Sequence, residues 1–324
     1  MDYLSIIKQP IENDLNDFIA LFNNSLTHDD GMLGSALSHI RQRGGKRMRP
    51  ILMLLTAKNY GGISDVTQHA AVGLELLHTA SLVHDDVVDE SSERRGRPSI
   101  NRLYDNKIAV LVGDFILALS LQNVSKVNSP RLMGVVAQTS QKLASGELLQ
   151  LKSVHNQEIS EEVYFRIIKE KTAVLFSACA QAGALSVSSD EMAIEILKKF
   201  GEIVGVCFQI RDDIFDYSDS RSIGKPTGND MQEGKLTLPV IYVLQSTGDE
   251  EMLRIAKAVK NFEATEAEIA QLIAFAVAHG GIEYANKKMY EYAEKAKSLL
   301  DSFSDSEVKQ ALLQYVDFVV DRTV

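Results

Sequence analysis

The chain has 324 residues, 45% of them apolar, which is enough to bury a sizeable core. Its 44 acidic and 34 basic residues give a formal net charge of -10. That balance argues against nucleic acid or an anionic membrane surface as the main partner, so any anion site must come from a local basic cluster.

The first residues, Met1-Asp2-Tyr3-Leu4-Ser5, lead into an acidic segment. They lack the basic start and apolar run of a signal peptide. Next comes a basic stretch, Arg41-Gln42-Arg43-Gly44-Gly45-Lys46-Arg47-Met48-Arg49-Pro50. Its paired glycines let backbone amides approach an anion, and its cations suit charge-assisted bonds to phosphate oxygens. The glycine–lysine–hydroxyl spacing of a Walker A loop is missing. Taken alone, the stretch reads more readily as a solvated basic loop. Gly61-Gly62-Ile63-Ser64 is a break. After it, His78 lies seven residues before Asp85, two helical turns back on the same face.

Asp85-Asp86-Val87-Val88-Asp89 is the sharpest signal in the first half, and Asp212-Asp213-Ile214-Phe215-Asp216 repeats its spacing. Residues four apart share a helix face, so Asp85 pairs with Asp89 and Asp212 with Asp216. Like charges at that spacing repel, and apolar neighbours (Leu82, Val83, Phe208, Ile210) deny them water. One such motif is readily a helix N-terminus or a solvated turn. Two with the same spacing point to a hard divalent cation, and magnesium with a diphosphate fits oxygen donors best. Helical bundles build such sites from facing helices.

The Glu93–Ser99 break holds Arg94, Arg95 and Arg97 beside Gly96. From Ile108 to Leu121 the chain is at its most apolar, with Asp114 interrupting. That stretch is shorter than the roughly 20 residues a bilayer needs, and it reads as a buried core helix. No proline lies between Pro130 and Pro226. Apolar residues there, such as Leu148, Leu149, Leu151, Ile194, Leu197, Ile203 and Val204, recur at helical spacing. Ser160-Glu161-Glu162-Val163 and Ser189-Asp190-Glu191 look like helix starts. Lys171-Thr172 falls inside a helical stretch, and Lys225 and Lys235 bracket the glycine-bearing part of the Ser218–Lys235 break. From Ile282 to Phe303, Lys and Glu alternate around Tyr284, Met289, Ala293 and Ala296 as in an amphipathic helix. Cys179 and Cys207 sit in apolar stretches without metal-ligand spacing, as buried free thiols of a reducing compartment would. Strand signals are nearly absent, and no linker or repeat divides the chain. The expectation is one all-α domain, residues 1–324, of about ten helices.

In order, these segments resemble the trans-isoprenyl (polyprenyl) diphosphate synthase family from about Gly44 to Pro239. Gly44 to Pro50 is similar to its isopentenyl diphosphate motif. Leu76-Leu77-His78 through Asp89, with Arg94-Arg95-Gly96 after it, is similar to its first aspartate-rich motif. Lys171-Thr172, Phe208-Gln209-Ile210-Arg211-Asp212-Asp213, Gly224-Lys225 and Glu233-Gly234-Lys235 match its later motifs. The resemblance implies a helical bundle with a central cavity, usually homodimeric, that uses three magnesium ions. It implies that Lys46, Arg49, His78 and Arg95 hold isopentenyl diphosphate, and that Arg94, Lys171, Gln209, Lys225 and Lys235 hold the allylic diphosphate. Asp85, Asp89 and Asp212 would bind magnesium directly, with Asp86, Asp213 and Asp216 close by. Thr172 and Gln209 would place dipoles near the allylic cation. No side chain stands out as a general base, so the departing diphosphate is the implied proton acceptor.

In the family's short-chain members, bulky aromatics often stand where this chain has Ala80 and Ser81. These small residues imply an open tunnel below the first motif, with Leu77 narrowing it one turn further on. Ser145 to Leu151 also resembles longer-chain members. The expected product is C30–C50, octaprenyl first, of the kind used for quinone side chains. A shorter-chain geranylgeranyl or farnesyl diphosphate synthase and a non-catalytic subunit of a heteromeric enzyme are the alternatives. A terpene cyclase fits less well, because its second metal motif usually carries an Asn/Ser/Glu pattern and it needs no second diphosphate pocket. A cytoplasmic enzyme without a stable membrane anchor is expected.

Overall fold

The computed structural model describes residues 3–29, 31–94, 96–156, 159–188, 190–217 and 227–322. Among them the fold is all-α, apart from one short hairpin in which Glu93 pairs with Pro98 and Arg94 with Arg97. More helices form than the ten expected, because short ones arise directly after a break, as Ile100–Leu103 does after Glu93–Ser99, or inside one, as Asn229–Gln232 does in Ser218–Lys235.

The chain packs as two compact units, each made of separated segments. The first comprises Met1–Gln141, Leu175–Gly201 and Phe303–Gln314; the second comprises Lys142–Val174, Glu202–Ser302 and Tyr315–Val324. The boundaries near 141, 201 and 314 fall within continuous helices rather than in linkers.

In the first unit, helix Met48–Lys58 is buried along nearly its whole length, with Ile51, Leu52, Met53, Leu54 and Leu55 removed from water. Helix Asp65–Val88 begins at a capping box, in which Ser64 and Thr67 satisfy each other's backbone N–H. That box explains why the Gly61–Ser64 break ends where it does. Helix Asn106–Ser125 starts at Asp105, whose Oδ1 accepts the Ile108 N–H at 2.8 Å, and it packs along helix Asp65–Val88.

Helix Asn106–Ser125 corrects the expectation of a short core helix. It has 20 residues, and by length and composition it is apolar enough to cross a membrane. Only 39% of its apolar window is buried, so it is two-faced rather than enclosed. Val110, Leu111 and Leu121 are exposed.

In the second unit, helices Leu238–Thr247, Glu250–Lys260 and Glu266–Ala278 close a core around Val240, Val243, Leu244, Ile255, Val259 and Leu272. Helix Gly281–Leu299 buries Ala285, Met289, Ala293 and Ala296, as its charge pattern implies. Tyr284 stacks on Tyr242 with ring centroids 3.9 Å apart. Of the two foreseen helix starts, Ser160 does cap Glu161–Ile168, accepting from the Val163 N–H. At the other, Asp190 does the capping, accepting from Met192 and Ala193; Ser189 lies outside the described residues. Both cysteines are buried free thiols.

Candidate active site

Both aspartate motifs stand at helix C-termini. Helix Asp65–Val88 ends with Asp85 and Asp86 in its last turn and Asp89 as its cap residue. Helix Glu191–Phe215 ends with Asp212 and Asp213, and Asp216 follows it. A helix C-terminus carries partial negative charge, so a carboxylate there costs about 0.3–1 kcal/mol where at an N-terminus it would gain as much. This placement removes the helix-start reading of the motifs. Six carboxylates at two electronegative helix ends call for cations.

The first unit supplies some of these cations as side chains. Asp86 is fully buried and paired to the Arg94 Nε, with Arg43 Nη1 at 3.7 Å from its other oxygen. Burial raises its carboxyl above the usual range, while Arg94 and Arg43 pull it back. Arg43 also donates to the Pro98 carbonyl at 3.0 Å, and Arg97 to Gln42 Oε1 at 3.0 Å. Asp86 therefore ties the basic stretch and the arginine hairpin to the end of its helix. It orders cations more than it offers ligand atoms, whereas Asp85 and Asp89 are half-buried at the same helix end.

The basic stretch divides by role. Gly44 and Gly45 have φ of 59° and 148°, and Arg47 also has positive φ, so the backbone turns sharply before helix Met48–Lys58. Arg47 turns inward, pairing with Glu75 at 2.9 Å beneath the Phe22 ring. Arg49 lies 3.0 Å from His78 Nε2, with its guanidinium over Phe176. Lys46 is exposed. The structure thus brings Arg49 and His78 together and joins Arg94 to Asp86. Arg95 lies outside the described residues.

In the second unit, Lys171-Thr172 falls in a π-helical turn, Lys169–Ala173, rather than in regular α-helix. Such turns recur at functional sites because they re-aim side chains. Gly146 makes room for it: a Cβ there would lie 2.9 Å from the Glu170 backbone and from the Lys171 nitrogen. Lys171 pairs with Glu147 at 2.6 Å. Thr172 donates to Gln209 Oε1 at 2.7 Å, and Gln209 donates to Asp213 Oδ1 at 2.7 Å. Tyr164 donates to Asp213 Oδ2 at 2.6 Å. Burial pushes the Asp213 carboxyl up to about 7, against the pull of these two donors. Like Asp86, Asp213 is the buried organiser of its motif.

Asp216 accepts the backbone N–H groups of Asn229 and Asp230 at 3.0 and 3.1 Å, and burial raises its carboxyl. Lys235 pairs with Glu233. Asp212 is half-exposed and held by Arg322. Lys225 lies outside the described residues.

For a metal, the donor set is carboxylate oxygen throughout. Among the described residues, no group of three or more His, Cys, Asp or Glu side chains is gathered so that it could hold a metal ion by itself. Half-exposed carboxylates at helix ends fit a hard divalent cation that completes its sphere with water and phosphate oxygens. Leu77 and Ala80 are buried on helix Asp65–Val88, and Ser81 is partly buried with its hydroxyl on the His78 carbonyl. The sequence missed Glu147 as the partner of Lys171, Tyr164 as the partner of Asp213, and Arg322. No local pattern marks the last two.

Comparison with known proteins identifies the family. Residues 30–276 match the polyprenyl synthetase family model. The octaprenyl diphosphate synthase of Haemophilus influenzae is 37% identical over 92% of this chain and 90% of its own length. A geranylgeranyl pyrophosphate synthase from Bacteroides thetaiotaomicron is 50% identical, with a TM-score of 0.88 over 99% of this chain and 100% of that one. A polyprenyl synthase from Caulobacter crescentus, complexed with calcium and isoprenyl diphosphate, superposes with a TM-score of 0.93 at 33% identity, covering 99% of this chain and 98% of that one.

Proposed function

The chain belongs to the polyprenyl synthetase family, and we propose that this prenyltransferase uses magnesium to join isopentenyl diphosphate to an allylic diphosphate, repeatedly and head to tail. The observation that carries this reading is the pair of aspartate motifs at electronegative helix ends, each with a buried carboxylate that organises cations or donors. Asp85, Asp89 and Asp212 are the proposed metal ligands, with Asp216 beside them and Asp86 and Asp213 behind. Magnesium, when bound, neutralises the diphosphate as the allylic C–O bond breaks.

The chain's own residues do the rest. Arg49 and His78, with Lys46 and Arg95, hold isopentenyl diphosphate. Lys171, kept in place by Glu147, holds the allylic diphosphate with Arg94, Lys225 and Lys235. Gln209 is locked with its amide on Asp213, so its Oε1 and the Thr172 hydroxyl present fixed dipoles that stabilise the allylic cation without reorganising. The double bond of isopentenyl diphosphate attacks that cation, and the departed diphosphate takes the proton that is lost.

For product length we propose C30–C50, octaprenyl first. Buried Ala80 and the small Ser81 support an open path beside Leu77. The 50% identity to a geranylgeranyl pyrophosphate synthase favours C20 as the second reading. A cytoplasmic homodimer of one domain, residues 1–324, completes the proposal, with a second copy covering the exposed apolar face of helix Asn106–Ser125. Asp85→Asn and Asp212→Asn test the mechanism. Each is expected to lower elongation by at least a hundredfold while the protein stays folded. Near-normal elongation in either variant would overturn the assignment.

A further inference from the structure

Asp212 is held by a side chain far away in sequence. Arg322, which follows helix Glu307–Asp321, donates from Nη2 to Asp212 Oδ1 at 2.7 Å and to the Phe208 carbonyl at 2.9 Å. Its guanidinium stacks 3.8 Å from the Phe208 ring centroid and lies 5.5 Å from that of Phe215. The carbonyl of Arg322 in turn accepts from Arg211 Nε at 3.0 Å and Nη2 at 2.8 Å. One residue is thus clamped, by both side chain and backbone, to the turn of helix that carries the second aspartate motif.

Stability is a poor reason for this clamp. The Arg322 side chain is only 7% exposed, yet its Nε is buried with no hydrogen-bond partner among the described residues. An unmet buried donor is destabilising. An ion pair with a carboxylate that is 43% exposed returns little in exchange. What the clamp does supply is geometry. Nη2 bridges the carboxylate of Asp212 and the backbone of the preceding turn, so the carboxylate has a defined rotamer with Oδ1 occupied. The other oxygen, Oδ2, has no such partner among the described residues and belongs to a half-exposed group.

We propose that Arg322 is a positioning residue for the metal: by holding Asp212 Oδ1 it presets Oδ2 as the ligand atom. The proposal rests on the reading of Asp212 as a metal ligand. Groups that orient a ligating carboxylate from behind commonly contribute about 10–100-fold to metal affinity. Positive charge so near a dication opposes binding, but the guanidinium is spread over two aromatic faces and neutralised by Asp212 itself. Orientation therefore outweighs repulsion.

The test titrates the full-length wild type, Arg322→Gln, Arg322→Lys and Asp212→Asn with Mn²⁺ in the presence of inorganic diphosphate, reading free Mn²⁺ by electron paramagnetic resonance. Arg322→Gln is expected to bind Mn²⁺ at least about tenfold more weakly. Arg322→Lys should fall between it and the wild type, because lysine keeps the charge but cannot bridge Asp212 and the Phe208 carbonyl with one planar group. In activity assays, the magnesium concentration for half-maximal rate should rise while the KM for isopentenyl diphosphate stays constant. Arg322→Lys carries the test if Arg322→Gln does not fold. Affinity in Arg322→Gln and Arg322→Lys equal to or tighter than wild type would overturn the proposal. If Asp212→Asn binds Mn²⁺ like the wild type, the premise that Asp212 is a ligand fails instead, and the proposal falls with it.

Discussion

Removing one oxygen atom, in Tyr164→Phe, probes the organisation of the second motif. The Tyr164 hydroxyl donates to Asp213 Oδ2 at 2.6 Å, and the two residues are 5% and 3% exposed. The remaining described donor to this carboxylate is Gln209, on Oδ1. Above pH 7, where the Asp213 carboxyl is ionised, a buried hydrogen bond to it contributes about 1.5–3 kcal/mol, and water has little access to replace it. The ring keeps its edge-on packing against Phe165, so little else changes. For a chain of this size, a loss of about 2 kcal/mol lowers Tm by about 3 °C. Thermal unfolding of Tyr164→Phe, Asp213→Asn and the double variant forms a cycle that isolates the pair. A coupling energy of about 1.5 kcal/mol or more is expected, because the residues are in direct contact. Elongation by Tyr164→Phe should also slow, since Gln209 is positioned through Asp213. A coupling below about 0.5 kcal/mol, the range of independent sites, would refute the view that Asp213 is held as a buried anchor.

Three further outcomes follow from other parts of the molecule. Ala80→Phe, at a buried position near the first motif, should shorten the product; an unchanged length would show that the chain grows elsewhere. Leu111→Asp places a charge on a residue that is 63% exposed. Light scattering should then report monomers if this face is covered by a second copy, whereas an unchanged mass would remove the face from the interface. Burial pushes the Cys207 thiol up to about 12 and raises that of Cys179 as well. The folded protein therefore keeps both protons while the unfolded chain loses them above about pH 8.5, so stability is full below that pH and falls as pH rises toward 12. Replacing both cysteines by alanine should flatten the alkaline limb of the Tm–pH curve above pH 9, and an unchanged limb would place its cause elsewhere.

Much of the candidate site is legible in sequence, because its strongest signals are local. Spacing four residues apart places Asp85 with Asp89 and Asp212 with Asp216, and the Gly44–Pro50 stretch announces its turn. Chemistry at a distance is not written locally. Asp86 and Asp213 look like their neighbours in sequence, yet burial makes them organisers rather than open ligands. The π turn at Lys171 follows from close packing against Gly146, with no glycine or proline in the turn itself to signal it. Tyr164 and Arg322 meet their partners 49 and 110 residues away, a separation that no periodicity records. Helix Asn106–Ser125 misled for a different reason. High apolarity normally means enclosure, but here one face packs on helix Asp65–Val88 and the other stays exposed.

Elongation of an allylic diphosphate to a long chain is the activity proposed for this protein. The most direct measurement incubates the purified protein with magnesium, isopentenyl diphosphate and farnesyl diphosphate, then sizes the extracted products by mass spectrometry. A ladder ending between C30 and C50, abolished by chelation of the metal, is the predicted result. Products that stop at C15–C20 would contradict the open path beside Ala80 and Ser81, and no elongation from any allylic primer would contradict the proposed chemistry itself.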